Sequence, residues 1–338
     1  MYRRSLHVYS IVVAFSTVIL LAAGGMVTST GSGLAVPDWP LSYGKLMPPM
    51  VGGILYEHGH RMIASGVGFL TVILTLWILR REERRWVRVL GLVALCAVVL
   101  QGLLGGLTVL LLLPTWVSAT HASLAQSFFC IVSAIALFIS RWWIERSNLG
   151  VIPPPTVVLI ISLSLTIAVF CQLILGAIMR HSQAGLVVPD FPFAFGSVFP
   201  SLSADSLHSY ETILIQRDLR LAADGPVSSF QIVIHLLHRY WGFALGLGSL
   251  LAAIVFFRHR GISTILKVAA TSLPVLLLLQ AFLGYETIAS RKDPIIATLH
   301  QTNGALVLAS LVLFSLVLAR LRYVSQRQSF LQSGKDGA

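Results

Sequence analysis

The sequence predicts an all-α integral membrane protein with eight transmembrane helices, arranged as two pseudo-symmetric four-helix bundles. Its composition, its recurring apolar stretches and an internal repeat support this fold class. Of the 338 residues, 56% are hydrophobic and only 11% are charged, and the mean hydropathy is +0.84. A soluble domain carries about 25% charged residues, so this chain has too few to cover a water-facing surface. The composition therefore excludes a soluble enzyme, a disordered chain and a disulfide-stapled secreted domain.

Eight apolar stretches recur along the chain, and each is long enough to cross the hydrocarbon core of a bilayer, which takes about 20 residues in a helix. An even number of spans places both termini on the same side of the membrane. The predicted spans are 8–26, 56–79, 87–112, 118–140, 155–179, 231–257, 262–285 and 295–319.

The net charge of +11 has an explanation in this topology. In a soluble protein it would suggest a nucleic-acid partner. Here most of the 24 basic residues lie on the terminal side of the spans, including Arg3, Arg4 and the cluster at 80–88. Because short cytoplasmic segments are enriched in Lys and Arg, both termini are predicted to be cytoplasmic, in a plasma membrane of the bacterial inner-membrane type. We expect membrane lipid around the chain and no nucleic acid.

The three cysteines are predicted to be packing residues. Cys96, Cys130 and Cys171 all fall within predicted spans. None lies in an external loop, where an oxidising compartment would favour a disulfide. Free cysteines inside proteins commonly behave as small apolar side chains.

An internal repeat divides the chain into an N-terminal half at 1–150 and a C-terminal half at 151–338. The segment Gly33–Pro40 (GLAVPDWP) matches Gly185–Pro192 (GLVVPDFP), 152 residues later. Further matches are His60-Arg61 with His238-Arg239, 178 residues apart, and Gln101 and His121 with Gln280 and His300, 179 apart. Four helices per half preserve orientation, so the halves are predicted to be parallel repeats. Both proline-containing segments are interpreted as rigid turns that cap the outer ends of the halves, or as packing turns.

The second half carries a longer external loop, because the separation of the matches increases between the two proline segments and the His-Arg pairs. The extra length lies around 203–225, where apolar residues recur at helical spacing among charged ones. This pattern predicts a short amphipathic helix on the outer surface, with a solvated loop as the alternative.

Four histidines occupy matched positions near the outer ends of the second and fourth helices of each half. They are His60, His121, His238 and His300. Ionisable groups inside a bilayer are costly and usually face the interior of a bundle. Two imidazoles across a four-helix core can hold a haem iron between axial nitrogens at about 2 Å. A zinc site would need further ligands, a proton relay would need no duplicated pairing, and a single such histidine is commonly a helix-to-helix hydrogen bond. The duplication favours two haem sites.

The two histidines of the second helices are each followed by an arginine. Arg61 and Arg239 lie on the outer side, where haem propionates would face water. A guanidinium can pair with a carboxylate there, so both are predicted cofactor-binding residues. An arginine that extends to the membrane surface is the alternative.

The two halves carry different residues one helical turn before the His-Arg pair. Glu57 precedes His60 by three residues, and His235 is its counterpart before His238. A carboxylate beside a haem can take a proton or stabilise a developing positive charge, so Glu57 is the predicted catalytic residue. The alternative is a carboxylate favoured only by the helix dipole at an N-terminus.

Together, the segment Glu57-His58-Gly59-His60-Arg61, the Pro37–Pro40 loop, the repeat and the histidine partners resemble the haem A synthase family. This family oxidises the methyl group at position 8 of haem O to a formyl group, through successive hydroxylations, and so gives haem A for terminal oxidases. Some members carry two cysteines in the first external loop. Residues 27–55 contain none, so the chain resembles the branch that lacks them.

The resemblance implies specific roles for the two histidine pairs. Haem O, the substrate, would bind between His60 and His121 with Glu57 nearby. Haem b, an iron-containing cofactor for electron transfer, would bind between His238 and His300. The haem O synthase (a farnesyltransferase) and an electron donor are the expected partners, and a homo-oligomer is compatible with the sequence.

Two other functions remain open from the residues alone. A bis-histidine membrane cytochrome b that only transfers electrons would need the same four histidines, but would give Glu57 no reason to differ from His235. A secondary transporter would fit the parallel repeats, and it would bind no haem.

Overall fold

The computed structural model describes residues 2–145, 154–220, 225–258 and 264–336. Within these residues, eight helices are long and apolar enough to span a membrane, which confirms the predicted number. The ten α-helices are α1 Arg4–Ser29, α2 Gly53–Arg81, α3 Arg85–Leu110, α4 Thr115–Ile139, α5 Arg141–Glu145, α6 Thr156–His181, α7 Ala204–Gln216, α8 Ser229–Arg258, α9 Thr264–Ala289 and α10 Pro294–Asp336. The short helices α5 and α7 do not span.

Several spanning helices extend beyond the predicted apolar stretches. Helix α2 begins at Gly53 rather than at 56, and α10 continues to Asp336 rather than ending at 319. Hydropathy marks only the part of a helix that lies in hydrocarbon, whereas the backbone hydrogen bonds of the helix continue into polar flanks. The predicted start of the seventh span at 262 and the boundary between the halves at 150 lie outside the described residues.

Helix contacts close into a ring within each half. In the first half α1 packs on α2, α2 on α3, α3 on α4, and α4 on α1. In the second half the same ring runs through α6, α8, α9 and α10. The histidine-bearing helices α2 and α4, and likewise α8 and α10, are therefore diagonal partners. The halves meet where α1 packs on α10 and α4 packs on α6 and α10. The pseudo-symmetry of the two bundles stays a prediction.

The interior of the first half is filled by apolar side chains at helix contacts. Val13, Ile78 and Val132 are fully buried in one cluster, and Gly91 of α3 lies beside the Ile78 side chain. Helices in a membrane associate through such close packing, since lipid is as apolar as the helices themselves. Large apolar residues such as Phe69 and Leu278 remain exposed on the outside, as expected for surfaces that face lipid.

The first external loops of the two halves share one backbone path. Both contain a cis peptide before proline, at Trp39–Pro40 and Phe191–Pro192. Both then form a tight turn, with a bridge between Ser42 and Lys45 and between Ala194 and Ser197. The central residues of the turns, Tyr43-Gly44 and Phe195-Gly196, all have positive φ. A hairpin turn of this type needs positive φ at both central residues, and glycine adopts it without strain. The repeat therefore extends past Pro192.

Helix α7 confirms the helix predicted in the longer second loop, although residues 221–224 of that segment lie outside the described residues. Ser203 caps it by accepting a hydrogen bond from the Ser206 N–H,. Its Leu214 is fully buried in a cluster with Ala184 and Val187. Its Tyr210 stacks on the Phe195 ring with centroids 3.8 Å apart. Helix α7 thus covers the turn of the second loop.

Candidate functional site

Each of the four matched histidines packs against a glycine of a neighbouring helix. A Cβ atom built on the glycine would lie 2.8–3.1 Å from the imidazole Cε1 atom in all four cases. Carbon atoms in favourable contact are about 3.5–4.0 Å apart, so a Cβ atom at any of these four positions would require the imidazole ring or the helix to shift. The pairs are Gly24 with His60, Gly105 with His121, Gly176 with His238, and Gly284 with His300. The repeat therefore reproduces a helix-to-imidazole contact at every predicted ligand.

Glutamine side chains tie three of the histidines to the same neighbouring helices. The Gln101 Nε2 donates to the His121 carbonyl at 2.9 Å, and the Gln280 Nε2 donates to the His300 carbonyl at 3.0 Å. In the second half, the Gln172 Nε2 donates to the His238 carbonyl at 2.8 Å. The position on α1 that is equivalent to Gln172 is occupied by Leu20. A leucine side chain cannot donate the corresponding hydrogen bond to the His60 carbonyl.

The geometry of the second-half pair fits a haem between two imidazoles. The ring centroids of His238 and His300 are 6.4 Å apart, with an interplanar angle of 73°. Two imidazoles on opposite sides of one metal, each bonded at about 2 Å, place their ring centres about 6 Å apart. The helices that carry them, α8 and α10, are diagonal partners. These two residues can therefore serve as the axial ligands of one haem.

Among the described residues, three of the four matched histidines have a buried ring nitrogen without a partner, whereas the His300 Nδ1 lies 3.1 Å from the Gln280 carbonyl oxygen. The buried Nδ1 atoms of His60, His121 and His238 have no hydrogen-bond partner within the described part of the chain. A buried polar atom without a partner is uncommon in folded proteins. The described residues contain no cluster of three or more His, Cys, Asp or Glu side chains that could hold a metal ion. Axial ligation of a haem iron would need only two of these imidazoles.

Arg61 anchors the loop between α1 and α2, the first loop, over one end of the first site. Its Nη1 donates to the carbonyl oxygens of Asp38 and Leu41 at 2.8 and 2.9 Å, and its Nη2 donates to that of Val36 at 3.1 Å. Because backbone carbonyls carry no sequence signal, the sequence could not reveal this role. Pairing of Arg61 with a haem propionate stays a prediction.

Arg239 repeats this arrangement in the second half. It donates to the carbonyl oxygens of Asp190 at 2.8 Å and Val188 at 2.9 Å. A third bond reaches the Phe193 carbonyl at 3.3 Å. Both predicted cofactor-binding arginines therefore hold a proline-containing loop against the outer end of a histidine site.

Glu57 is a buried carboxylate whose two oxygens are both hydrogen-bonded. Its side chain is 4% exposed, its Oε1 forms an ion pair with Arg61 at 2.6 Å, and its Oε2 accepts from the Val36 N–H at 2.8 Å. An ionised carboxylate can accept about four hydrogen bonds, so further acceptor positions remain. The structure therefore places Glu57 in an ion pair beside the first loop, one helical turn from His60.

His235, the counterpart of Glu57, is a neutral imidazole in the same place. Its Nδ1 lies 2.8 Å from the Ala184 carbonyl oxygen, and its Nε2 lies 3.0 Å from the Arg239 Nη2. A carbonyl can only accept and a guanidinium can only donate, so the proton is on Nδ1 and Nε2 is unprotonated. The Arg61–Glu57 pair is therefore neutral overall, whereas the Arg239–His235 pair carries one positive charge.

Aromatic residues of the loops differ between the halves. The Trp39 ring packs on Gly106, where a Cβ atom would lie 2.6 Å from it. Gly106 directly follows Gly105, which contacts His121. In the second half Phe191 instead packs on Tyr285, which follows Gly284, with ring centroids 5.6 Å apart. The sequence interpretation assigned the two proline-containing segments as capping or packing turns but gave their aromatic rings no separate role, although the Trp-Pro and Phe-Pro pairs in the repeat could have indicated one.

Two further polar residues of the first half stabilise its loop. The N–H groups of Gly44 and Tyr43 donate to the Asp38 carboxylate at 2.8 and 2.6 Å and lower the pKa of that carboxyl below its ordinary value,. His58 is buried, and its Nδ1 lies 2.8 Å from the Ser42 Oγ. His58 therefore contacts the loop, whereas the four matched histidines pack against glycines of neighbouring helices.

Comparisons with known proteins place these features in context. A family model described as cytochrome oxidase assembly protein matches residues 51–313. A heme A synthase of Halalkalibacterium halodurans is 26% identical over 95% of this chain and 99% of its own length. A heme A synthase of Bacillus pumilus is 26% identical over 95% of this chain and 98% of its own length. A heme A synthase of Symbiobacterium thermophilum is 29% identical over 56% of this chain and 64% of its own length.

Proposed function

We propose that the chain is a haem A synthase. It belongs to the cytochrome oxidase assembly protein (COX15-CtaA) family. In this role it is a membrane enzyme that oxidises the methyl group at position 8 of haem O to a formyl group, which gives haem A for assembly of a terminal oxidase. The observation that carries the proposal is the set of four histidines, each held against a glycine at matched positions of the two halves.

The two halves take different haems in this proposal. Haem O, the substrate, binds in the half at 1–150 between His60 and His121. Haem b, the cofactor, binds in the half at 151–338 between His238 and His300. The 6.4 Å separation of the second-half rings supports two axial ligands there, and the Gly24 and Gly105 contacts support the same arrangement in the first half.

The difference between Glu57 and His235 supports this division of roles. The haem b of the second half supplies one-electron redox chemistry when it is bound. Two successive hydroxylations would replace two C–H bonds of the methyl group with C–OH bonds, and loss of water from the resulting diol would leave the formyl group. The carboxylate of Glu57, oriented by Arg61 and by the Val36 N–H, provides a fixed negative charge and free acceptor positions near the first site. The neutral His235 cannot provide that charge.

The loops close the outer ends of both sites. Arg61 and Arg239 hold the loop backbones, and the Trp39 ring packs on α3 next to the Gly105–His121 contact. These residues exclude water from the outer end of the first site and keep the substrate oriented. Clustering of the basic residues around 80–88 supports a plasma-membrane location with cytoplasmic termini. The two sites then lie toward the outer side, and haem O reaches the first site from the lipid.

Haem extraction after co-expression with a haem O farnesyltransferase tests the proposal. We expect the purified wild-type protein to contain haem b and to yield haem A. Recovery of haem b alone, with neither haem A nor a hydroxylated precursor, would identify an electron-transfer cytochrome and refute the synthase function. A colourless preparation would refute both.

A further inference from the structure

Arg180 is a cation at the contact between the two halves that has no part in the proposed reaction. It lies one residue before the outer end of α6, yet its guanidinium turns inward to α1 and α10. Nη1 donates to the Gln301 Oε1 at 2.6 Å, and Nη2 donates to the Gly25 carbonyl at 3.0 Å and to the Ser29 Oγ at 2.5 Å. The side chain therefore connects three helices across the contact between the halves.

All three acceptors of Arg180 are neutral. The ion pairs found among the described residues involve other arginines. A charged group within a membrane span is costly, and hydrogen bonds to neutral acceptors return only part of that cost. An uncharged amide could donate two of the same bonds. The positive charge itself therefore needs an explanation.

The position of this charge is defined by the residues next to its acceptors. Gln301 directly follows His300, the predicted second-half ligand on α10. Gly25 directly follows Gly24, which contacts the ring of His60. The guanidinium thus lies between the helix that carries a second-half ligand and the helix that supports a first-half ligand.

At one end of the second site, the carboxylate near Arg239 is that of Asp190, which is itself ion-paired with Arg217, so Arg239 keeps an unpaired positive charge. Arg239 is paired with the neutral His235, whereas Arg61 in the first half is neutralised by Glu57. Arg180 adds a second guanidinium without a carboxylate partner on the side of His300. One-electron reduction of a ferric haem lowers its positive charge, so a nearby cation in a medium of low dielectric constant favours the reduced form.

We propose that Arg180 is a positioning residue whose charge raises the reduction potential of the haem held between His238 and His300. The inference rests on the proposed function, because it assumes a haem at that pair. A higher potential at the second site would favour transfer of an electron from the expected electron donor to the haem held there. The hydrogen bonds of Arg180 fix the charge relative to both sites.

Redox titration of the purified protein, followed by the absorbance of the bound haem, tests the role of Arg180. We expect Arg180→Gln to have a lower midpoint potential than the wild type. Arg180→Lys, which keeps the charge, should have a midpoint potential close to that of the wild type. Arg322→Gln is the matched control, because Arg322 also donates to a carbonyl, that of Pro154 at 2.7 Å. Arg322 lies 22 residues along α10 from His300, which at 1.5 Å per residue is about 33 Å away, so this control should leave the potential unchanged.

A second variant keeps the buried hydrogen bonds in place. Ser29→Asp would put a carboxylate where the Ser29 Oγ now accepts from Arg180, and it should lower the potential as Arg180→Gln does. An unchanged potential in Arg180→Gln or in Ser29→Asp, with haem still bound, would overturn the inference. Equal shifts in Arg180→Lys and Arg180→Gln would overturn it as well, because the charge would then not be the cause. A wild-type protein that binds haem but yields no haem A would refute the proposed function. The midpoint potentials of the variants would still test the effect of the Arg180 charge on the bound haem.

Discussion

Replacing Gly176 with alanine should weaken haem binding in the second half. The new Cβ atom would lie 2.8 Å from the Cε1 of His238, whereas carbon atoms in favourable contact are about 3.5–4.0 Å apart. The ring must therefore move by several tenths of an ångström or the helices must separate. Overpacking of this kind costs about 1–3 kcal/mol. A ligand displaced by that contact should lower haem affinity about 5- to 150-fold.

The matched control is Gly248→Ala, on the same pair of helices. Its Cβ atom would meet the Leu165 Cδ2 at 3.8 Å, which is ordinary contact. Both substitutions raise helix propensity equally, by about 1 kcal/mol, so that the difference between them isolates the contact with His238. Haem titration of the haem-free protein, read from the absorbance of the bound haem, measures the affinity. If Gly176→Ala bound haem as tightly as Gly248→Ala, the assignment of His238 as a ligand held by Gly176 would be wrong.

Other substitutions separate the remaining residues of the two sites. His300→Ala should abolish the stably bound haem, because one axial ligand is lost, whereas His58→Ala should keep it, and haem content per protein compares them. Complete loss of haem in His58→Ala would show that the wrong histidine of the motif was chosen. Glu57→Ala should reduce haem A formation by at least tenfold while haem b remains bound, since the anion near the substrate is removed; full product yield would contradict the catalytic role. Asp38 has a lowered pKa in the folded protein, so its bonds to the turn are complete at neutral pH and are lost only as the pH falls through that lowered pKa. A Trp39 fluorescence change at acidic pH, absent in Asp38→Asn, would report this.

Hydropathy and the repeat predicted the spanning helices well. A helix in hydrocarbon must satisfy its own backbone hydrogen bonds over about 20 residues, and this requirement is visible in one sequence. The same repeat placed His238 and His300 on diagonal helices, where the structure finds their rings 6.4 Å apart.

The contacts that fix these rings could not be predicted in the same way. Gly176 and Gln172 act on His238 from another helix, and a single sequence gives no information on which helices touch. Gln101 and Gln280 were visible in the repeat, yet their bonds to the histidine carbonyls involve backbone atoms that leave no pattern. The partners of Glu57 and Arg61 in the loop were missed for the same reason.

Helix α7 gives the two external loops unequal freedom to move away from the bundle. To lift the second loop, the protein must break the Asp190–Arg217 ion pair at 2.7 Å and the stacking of Phe195 on Tyr210. In the first loop the Asp38 carboxylate accepts, among the described contacts, only from the Tyr43 and Gly44 N–H groups of its own turn. Tyr43, which stands where Phe195 does, is 52% exposed. Two loops with the same backbone path are therefore held differently, because α7 adds to the second loop an ion pair and a stacked ring pair that come from a helix present only in the second half.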